Sequence, residues 1–186
     1  MPEQHWTILG SREIADHRIF RIRYDRYRFE SAAREHDFVI VDCGDWVNVV
    51  PVTDDGQVVL IRQYRHGIKR ATLEIPGGMI DHGEEPEAAA VRELEEETGY
   101  VPRSVRSLGR VHPNPAIQGN YCHLYLAEGC RPEAATRFDA FESIEVVPCP
   151  LADIPDMIRR EDISNSMVIN AFALMGVLGG AGPARS

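Results

Sequence analysis

Residues 78–100 read GMIDHGEEPEAAAVRELEEETGY, a glycine-punctuated loop running into a segment that carries Glu93, Glu96 and Glu97 and stops at Gly99. An α-helix turns roughly 100° per residue, so acids at i, i+3 and i+4 fall within a sector of about 100°. The three carboxylates form one acidic face. Val91 and Leu94, with Ala90 at the border, point to the adjoining sector and give the helix a face to bury. Pro86 suits the first helical position, where a missing N–H is no loss, and Gly99 suits the C-terminal cap, where left-handed backbone is common. The spacing predicts a helix over Pro86–Thr98.

That helix is locally unfavourable. Like charges at i, i+4 cost about 0.2–0.5 kcal/mol per pair, and acids near a helix C-terminus oppose the macrodipole. Arg92 can reach Glu96 at i+4, but one arginine cannot neutralise Glu93, Glu95, Glu96 and Glu97 together. Clustered carboxylates with open water positions are usual ligands of Mg²⁺ or Mn²⁺, and the lack of thiolate or imidazole clustering argues against zinc. The alternative for the helix alone is a solvated charged face.

The loop shifts the balance toward a site. Gly77, Gly78 and Gly83 bracket a turn where backbone can approach a ligand closely, and Glu84 stands at the entry to the helix. Gly78, Glu84, Arg92, Glu93, Leu94, Glu96, Glu97 and Gly99 match the Nudix box, G-x5-E-x7-R-E-U-x-E-E-x-G-U. Tyr100 departs from the aliphatic residue at the last position but keeps an apolar ring. On these residues the chain resembles the Nudix hydrolases. The resemblance implies hydrolysis of a nucleoside diphosphate linked to another group, with Mg²⁺, or Mn²⁺, as cofactor. It further implies Glu93 and Glu97 as direct metal ligands, Glu96 as ligand of a further ion or of its waters, the Gly77 carbonyl as a backbone ligand, and Arg92 and Glu84 as residues that orient these carboxylates. The chemistry has its own reason: a pyrophosphate repels a nucleophile until its charge is offset.

Composition fits an enzyme of this size. A chain of 186 residues, 44% hydrophobic, can bury one ordinary core. A net charge of −9 argues against a nucleic-acid partner, and no run approaches the roughly 18 apolar residues of a membrane span. The N-terminus lacks an apolar signal region, so a cytoplasmic location is expected. Cys43, Cys122, Cys130 and Cys149 are irregularly spaced, with no C-x-x-C pair, and read as reduced thiols.

Along the chain, Phe20, Ile22 and Tyr24 alternate with polar residues before the parity shifts to Tyr27 and Phe29, which predicts a strand with a bulge or break near Arg26, continuing to Phe38–Val41. Val47–Val52 and Val58–Tyr64 flank the turn Asp54-Asp55-Gly56. Further strands are expected at Leu73–Ile75, Val105–Leu108, His123–Ala127 and Ile144–Val147, and helices at Leu151–Arg160 and Asn165–Leu178. Strands flanked by helices fit an α+β fold, an α/β/α sandwich around a mixed sheet, as the resemblance also implies. The domain reading is a β-rich N-terminal arm over 1–45, a hydrolase domain over 46–178 and a flexible tail over 179–186.

A second set of residues, Gln63-Tyr64-Arg65, Leu73-Glu74-Ile75-Pro76-Gly77-Gly78 and Pro115, sixteen residues past Gly99, is similar to the branch that hydrolyses ADP-ribose and nucleoside diphosphate sugars. Arg65, with Glu74, reads as a phosphate or ribose contact or, equally, as an ion pair between the two. The loop His112–Asn120, which includes Pro115 and Asn120, reads as a specificity element or as a plain connection. The resemblance to this branch also implies a glutamate in a loop of the region Phe141–Val146 as the base that activates water: Glu142 is the first choice, as base or extra metal ligand, and Glu145, which alternates as an outward strand residue, the second; a helix glutamate such as Glu96 is also open. Trp46, Trp6, Tyr24, Tyr27 and Phe29 are candidates to sandwich a nucleobase, or else core or dimer contacts. His66 and His112 flank the expected pocket. The resemblance also implies a homodimer, with the arm packing on a twin subunit. Besides hydrolysis of a nucleotide sugar, two alternatives stand: a silent nucleotide-binding module, and the same chemistry on another small nucleotide such as a dinucleoside polyphosphate or NADH.

Overall fold

The computed structural model describes residues 5–138 and 143–180. They cluster into two compact units. The first comprises the chain up to Gly44 together with His112–Tyr121, and the second comprises the remainder.

In the first unit β1 (Trp6–His17), β2 (Phe20–Phe29) and β3 (Arg34–Asp42) form an antiparallel sheet in that order. β2 pairs with β3 without interruption from Arg21↔Asp42 to Phe29↔Arg34, so the break expected near Arg26 is absent. The irregularity is carried by β1: its register against β2 shifts between Ile8 and Gly10, opposite Tyr27 and Arg26 where a bulge was expected, and again between Glu13 and Ala15. The parity change along β2 therefore reflects apolar residues on both faces of one continuous strand. A 3₁₀ turn at Glu30–Ala32 then separates β2 from β3, in place of the continuous strand that the alternation predicts. One face carries an aromatic cluster: Trp6 lies 4.7 Å from Phe29 and 5.7 Å from Phe38 between ring centroids, and Tyr27 packs edge-on to Phe38. Asp25 is buried on the same unit, accepting from Ser11 Oγ and Arg23 Nε, and the Arg23 bond holds its carboxyl below the usual range.

The second unit is built on a seven-stranded mixed sheet. Its path runs β12 (Ile144–Pro150), β5 (Gln57–Arg65), β4 (Trp46–Val52), β10 (Cys122–Glu128) and β9 (Ser104–Val111), with β6 (Arg70–Glu74) on β5 and β7 (Gly77–Met79) on β4. β4 and β10 are parallel and the other pairs antiparallel. A short pair, β8 (Tyr100–Val101) with β11 (Arg131–Pro132), lies off this sheet. Alternation along β4 and β10 divides their side chains between two cores. Val47, Val49, Tyr125 and Ala127 pack against α1 (Pro86–Thr98) through Ala89, Ala90 and Leu94. Val50, Leu124 and Leu126 pack on the opposite face against Ile154 and Met157 of α2 (Ile154–Arg159) and Val168, Ala171 and Phe172 of α3 (Ser166–Met175). Helices thus cover both faces of the mixed sheet, and fully burying a side chain such as Leu94 or Phe172 contributes about 1.5–3 kcal/mol.

α1 has its expected bounds, with Pro86 in the first turn and Gly99 left-handed at φ 73°. Its buried face is rotated from the one expected: Ala89, Ala90, Leu94, Glu97 and Thr98 are buried, whereas Val91 is half-buried. The helix expected over Leu151–Arg160 opens as a 3₁₀ turn at Leu151–Asp153. The one expected over Asn165–Leu178 ends at Met175, because Gly176 turns left-handed at φ 87°, and a further 3₁₀ turn spans Val177–Gly180. That turn takes in the first two residues assigned to the tail.

Candidate active site

Arg92 organises the acids of α1. Its Nε and Nη2 donate to the two oxygens of Glu84 at 2.9 and 3.0 Å, its Nη1 to Glu93 at 2.7 Å and Glu96 at 3.3 Å, and Nη2 also reaches the Met79 carbonyl at 3.2 Å. One guanidinium thereby ties the helix to the loop that precedes it, which its planar, five-donor fork permits and a lysine would not. Glu84 closes that loop by accepting from the Asp81 N–H at 3.0 Å, and Arg92 holds the Glu84 carboxyl below its ordinary range. The hydrogen bond from Arg92 to Glu84 likewise holds the guanidinium above its already high value, so it is a permanent cation.

Glu97 sits one turn further on and faces inward. It is 5% exposed and accepts from the Gly77 N–H at 2.9 Å. Gly77 is required by contact with backbone, and Gly78 leaves room for the Glu93 carboxylate. A Cβ on Gly77 would run into the Val47 carbonyl and the Asn48 side chain, and one on Gly78 would lie 2.5 Å from Glu93 Oε1. Backbone and carboxylates are therefore in direct apposition along Gly77–Gly78. Asn48, buried in β4, adds a brace, with Nδ2 directed at the Ile75 and Pro76 carbonyls at 3.5 and 3.4 Å and Oδ1 accepting from the Cys122 thiol. Burial pushes the Cys122 thiol up to about 12, so it stays protonated and able to donate.

Among the described residues no three Asp, Glu, His or Cys side chains converge as a ready metal cage. Glu93 and Glu96 accept from Arg92, and Glu97 from the Gly77 N–H. The donor chemistry nevertheless fits a hard divalent ion, since only oxygen donors, carboxylates and loop backbone, are brought together here.

Beside the loop lies a cavity of about 740 Å³, bounded by Trp46, Met79 and Met167 on its apolar side and by Arg65, Glu74 and Asn165 on its polar side. Glu74, with its side chain 2% exposed, accepts from Arg65 at 2.8 and 2.8 Å, from Thr72 Oγ1 at 2.6 Å and from Asn165 Nδ2 at 2.9 Å. Burial pushes this carboxyl up, and the donors outweigh it, so the group is held below the ordinary carboxylate range. Of the two readings of Arg65, the ion pair with Glu74 forms, and it forms inside the cavity wall. Asn165 caps α3 with Oδ1, accepting from the Met167 N–H at 3.0 Å, while its amide nitrogen serves Glu74.

The structure thus brings Gly77, Arg92, Glu93, Glu96 and Glu97 together, and Trp46, Arg65 and Glu74 around the adjoining cavity. Pro115 and Asn120 belong to the first unit: Pro115 is exposed in a turn closed by Gln118 N–H on the Asn114 carbonyl, and Asn120 is buried with Nδ2 on the Gly44 carbonyl at 3.1 Å. His66 lines the cavity and His112 caps the Asn120 carbonyl. Glu142 lies outside the described residues. Glu145 is outward on β12 and pairs with Arg62 at 2.8 Å. Asn48, Thr72, Ser164 and Asn165 escaped the sequence reading as site residues. Only Asn165 carried a signal, a capping residue ahead of an apolar run.

The NUDIX domain family matches residues 45–168. Over 127 residues the chain is 34% identical to an ADP-ribose pyrophosphatase of Bacillus subtilis (strain 168), covering 68% of this chain and 69% of that protein. Over 180 residues it is 31% identical to a CMP-5'-(N-acetyl-N-hydroxy-3-aminopropyl)phosphonate hydrolase of Streptomyces rubellomurinus (strain ATCC 31215), covering 95% of this chain and 84% of the other. A crystal structure of an ADP compounds hydrolase superposes with a TM-score of 0.82 at 26% identity, covering 93% of each chain. The chain belongs to the Nudix hydrolase superfamily. It is a hydrolase of phosphoanhydride bonds that acts on a nucleotide or nucleotide-sugar substrate, and no helix among its described residues is long and apolar enough to cross a membrane.

Proposed function

We propose that this protein hydrolyses the pyrophosphate bond of ADP-ribose or a related nucleoside diphosphate sugar, with Mg²⁺, to a nucleoside monophosphate and a sugar phosphate. The observation that carries the reading is the cavity of about 740 Å³ lined by both the glycine loop and the Arg65–Glu74 pair, large enough for the non-phosphate half of such a substrate while its pyrophosphate meets the acidic helix. In this reading Glu93, Glu97, Glu96 and the Gly77 backbone hold the ion. Mg²⁺ bound there supplies positive charge for the pyrophosphate and lowers the pKa of a bound water. Arg92 and Glu84 set the orientation of the carboxylates, as their five hydrogen bonds with one another, Glu93, Glu96 and Met79 support. Trp46, flat and half-buried on the cavity wall, offers a stacking surface, and Arg65 offers hydrogen bonds to a ribose or phosphate. Glu142 remains the proposed base, and Pro115 and Asn120 the proposed specificity contacts. The exposed aromatic face of Trp6 and Phe38 on β1 and β3 supports the arm as a homodimer contact.

A second reading has its own support. The name of the Streptomyces relative concerns a CMP-linked phosphonate, which favours a wider range of nucleotide conjugates than sugars alone. The deciding experiment is a Mg²⁺ assay over ADP-ribose, ADP-, GDP- and UDP-sugars, NADH, dinucleoside polyphosphates and a CMP-linked phosphonate. Fastest hydrolysis of ADP-ribose or a nucleotide sugar is expected. Turnover of none of them would point to a nucleotide-binding module that has lost its chemistry.

A further inference from the structure

β5 and β6 place Arg65 directly opposite Arg70 across an antiparallel ladder, and both side chains line the cavity. Like charges facing one another on a sheet are destabilising unless something offsets them. Glu74 offsets only one. It grips Arg65 through both carboxylate oxygens and is saturated by Thr72 and Asn165, so it has no capacity for a second guanidinium. Arg70 donates from Nη2 to the Ser164 hydroxyl at 3.1 Å, and among the described residues no carboxylate forms an ion pair with it. The acids that share the small cleft beside it are Glu161 and Asp162, and Asp162 is engaged by Arg160 at 3.0 Å. The neighbouring Arg62 is paired with Glu145. Of the two facing arginines, Arg70 is therefore the one without a carboxylate ion pair among the described residues, and Ser164, next to the residue that serves Glu74, accepts its hydrogen bond.

We propose that Arg70 is a substrate contact that takes anionic oxygens of the nucleotide substrate, with Ser164 as its positioning residue. The proposal rests on the cavity being the substrate site. Its ligand chemistry is an anionic oxygen pair suited to a guanidinium fork, and that pair has two sources: the pyrophosphate itself, or an acid group on the attached sugar.

The test is calorimetric titration of ADP-ribose, UDP-glucose and UDP-glucuronate into the wild type, Arg70→Gln, Arg70→Lys and Arg62→Gln. Ca²⁺ replaces Mg²⁺, as an oxygen-seeking ion of looser geometry, so that binding is read without relying on turnover. Arg70→Gln should weaken binding at least about tenfold, the scale of a lost charge-assisted hydrogen bond, with Arg70→Lys intermediate and Arg62→Gln within about twofold of wild type. Equal weakening for all three ligands assigns Arg70 to the pyrophosphate. Weakening confined to UDP-glucuronate assigns it to an acid on the sugar. Binding by Arg70→Gln within twofold of wild type for every ligand overturns the proposal, as does a wild type that binds none of the three, even where hydrolysis of a different nucleotide upholds the functional reading. Conversely, a wild type that binds through Arg70 but hydrolyses nothing in Mg²⁺ removes the enzyme reading and leaves the anion contact standing.

Discussion

Replacing Arg92 by Met removes the cation that Glu84, Glu93 and Glu96 share and keeps much of its hydrocarbon stem. The partners are 15–30% exposed, so each ion pair falls between the surface case, about 0.2–1 kcal/mol, and the buried case of several. Taking about 1 kcal/mol for each of three carboxylates gives about 3 kcal/mol, before the like-charge repulsion that is then left along α1. For a chain of this length 1 kcal/mol moves Tm by about 2–4 °C, so the loss should be about 6–12 °C by scanning calorimetry. Arg92→Lys separates charge from geometry. It restores the cation but not the bidentate hold on Glu84 or the bond to the Met79 carbonyl, so most of the Tm should return while kcat stays depressed. If the carboxylates shift by about 1 Å, the loss in rate is about 10²-fold. A Tm change below about 2 °C for Arg92→Met, or full activity in Arg92→Lys, would refute the view that this guanidinium sets the acids in place.

Glu97→Gln keeps an oxygen to accept the Gly77 N–H and loses only the charge, so the fold should hold while turnover in Mg²⁺ drops by orders of magnitude; Glu93→Gln should do the same, and near-normal rates in both would remove these residues from the metal site. Gly77→Ala drives a Cβ into the Val47 carbonyl and to 2.9 Å from Asn48 Cα, displacing the loop backbone, so kcat should fall about 10²-fold or more, and a substitution without kinetic effect would show the loop position to be unimportant. The depressed carboxyl of Glu74 contributes stability that is present above the unfolded value of about 4.3 and is lost as pH falls through its lower folded value; wild-type Tm should therefore fall below about pH 4.5 more steeply than that of Glu74→Gln, and parallel curves would contradict this.

The acidic helix was legible because every signal agreed: Pro86 at its start, Gly99 at its end and acids at helical spacing between. The hairpin joining β4 to β5 was legible for the same reason, with two apolar runs around a turn sequence. β1 was not. WTILGSREIADH is almost wholly exposed and twice shifts register, so it has neither burial nor a steady period of two to read. Within the site the difference is one of distance in sequence. Arg92 and Glu96 lie on one helix and their contact follows from spacing, whereas Asn165 reaches Glu74 across 91 positions and Asn48 reaches the Pro76 carbonyl across 28, and only the folded sheet brings those pairs together. Arg65 and Glu74 were seen, but that they pair with one another could be decided only once the strand β6 had turned Glu74 inward.

The segment His112–Tyr121 interrupts the hydrolase portion of the chain, yet it is bonded to the end of the arm: Val41 N–H to the Ile117 carbonyl at 2.8 Å, Gln118 to Cys43, and Asn120 to the Gly44 carbonyl. Two stretches some seventy residues apart are thus a single inheritable module. A truncation at residue 45 would leave an orphaned loop rather than a trimmed enzyme, and swapping the arm alone between relatives would produce mismatched chimaeras. If the loop carries selectivity, altering it by exchange requires moving both pieces at once, and lineages that change substrate should show the two drifting in step.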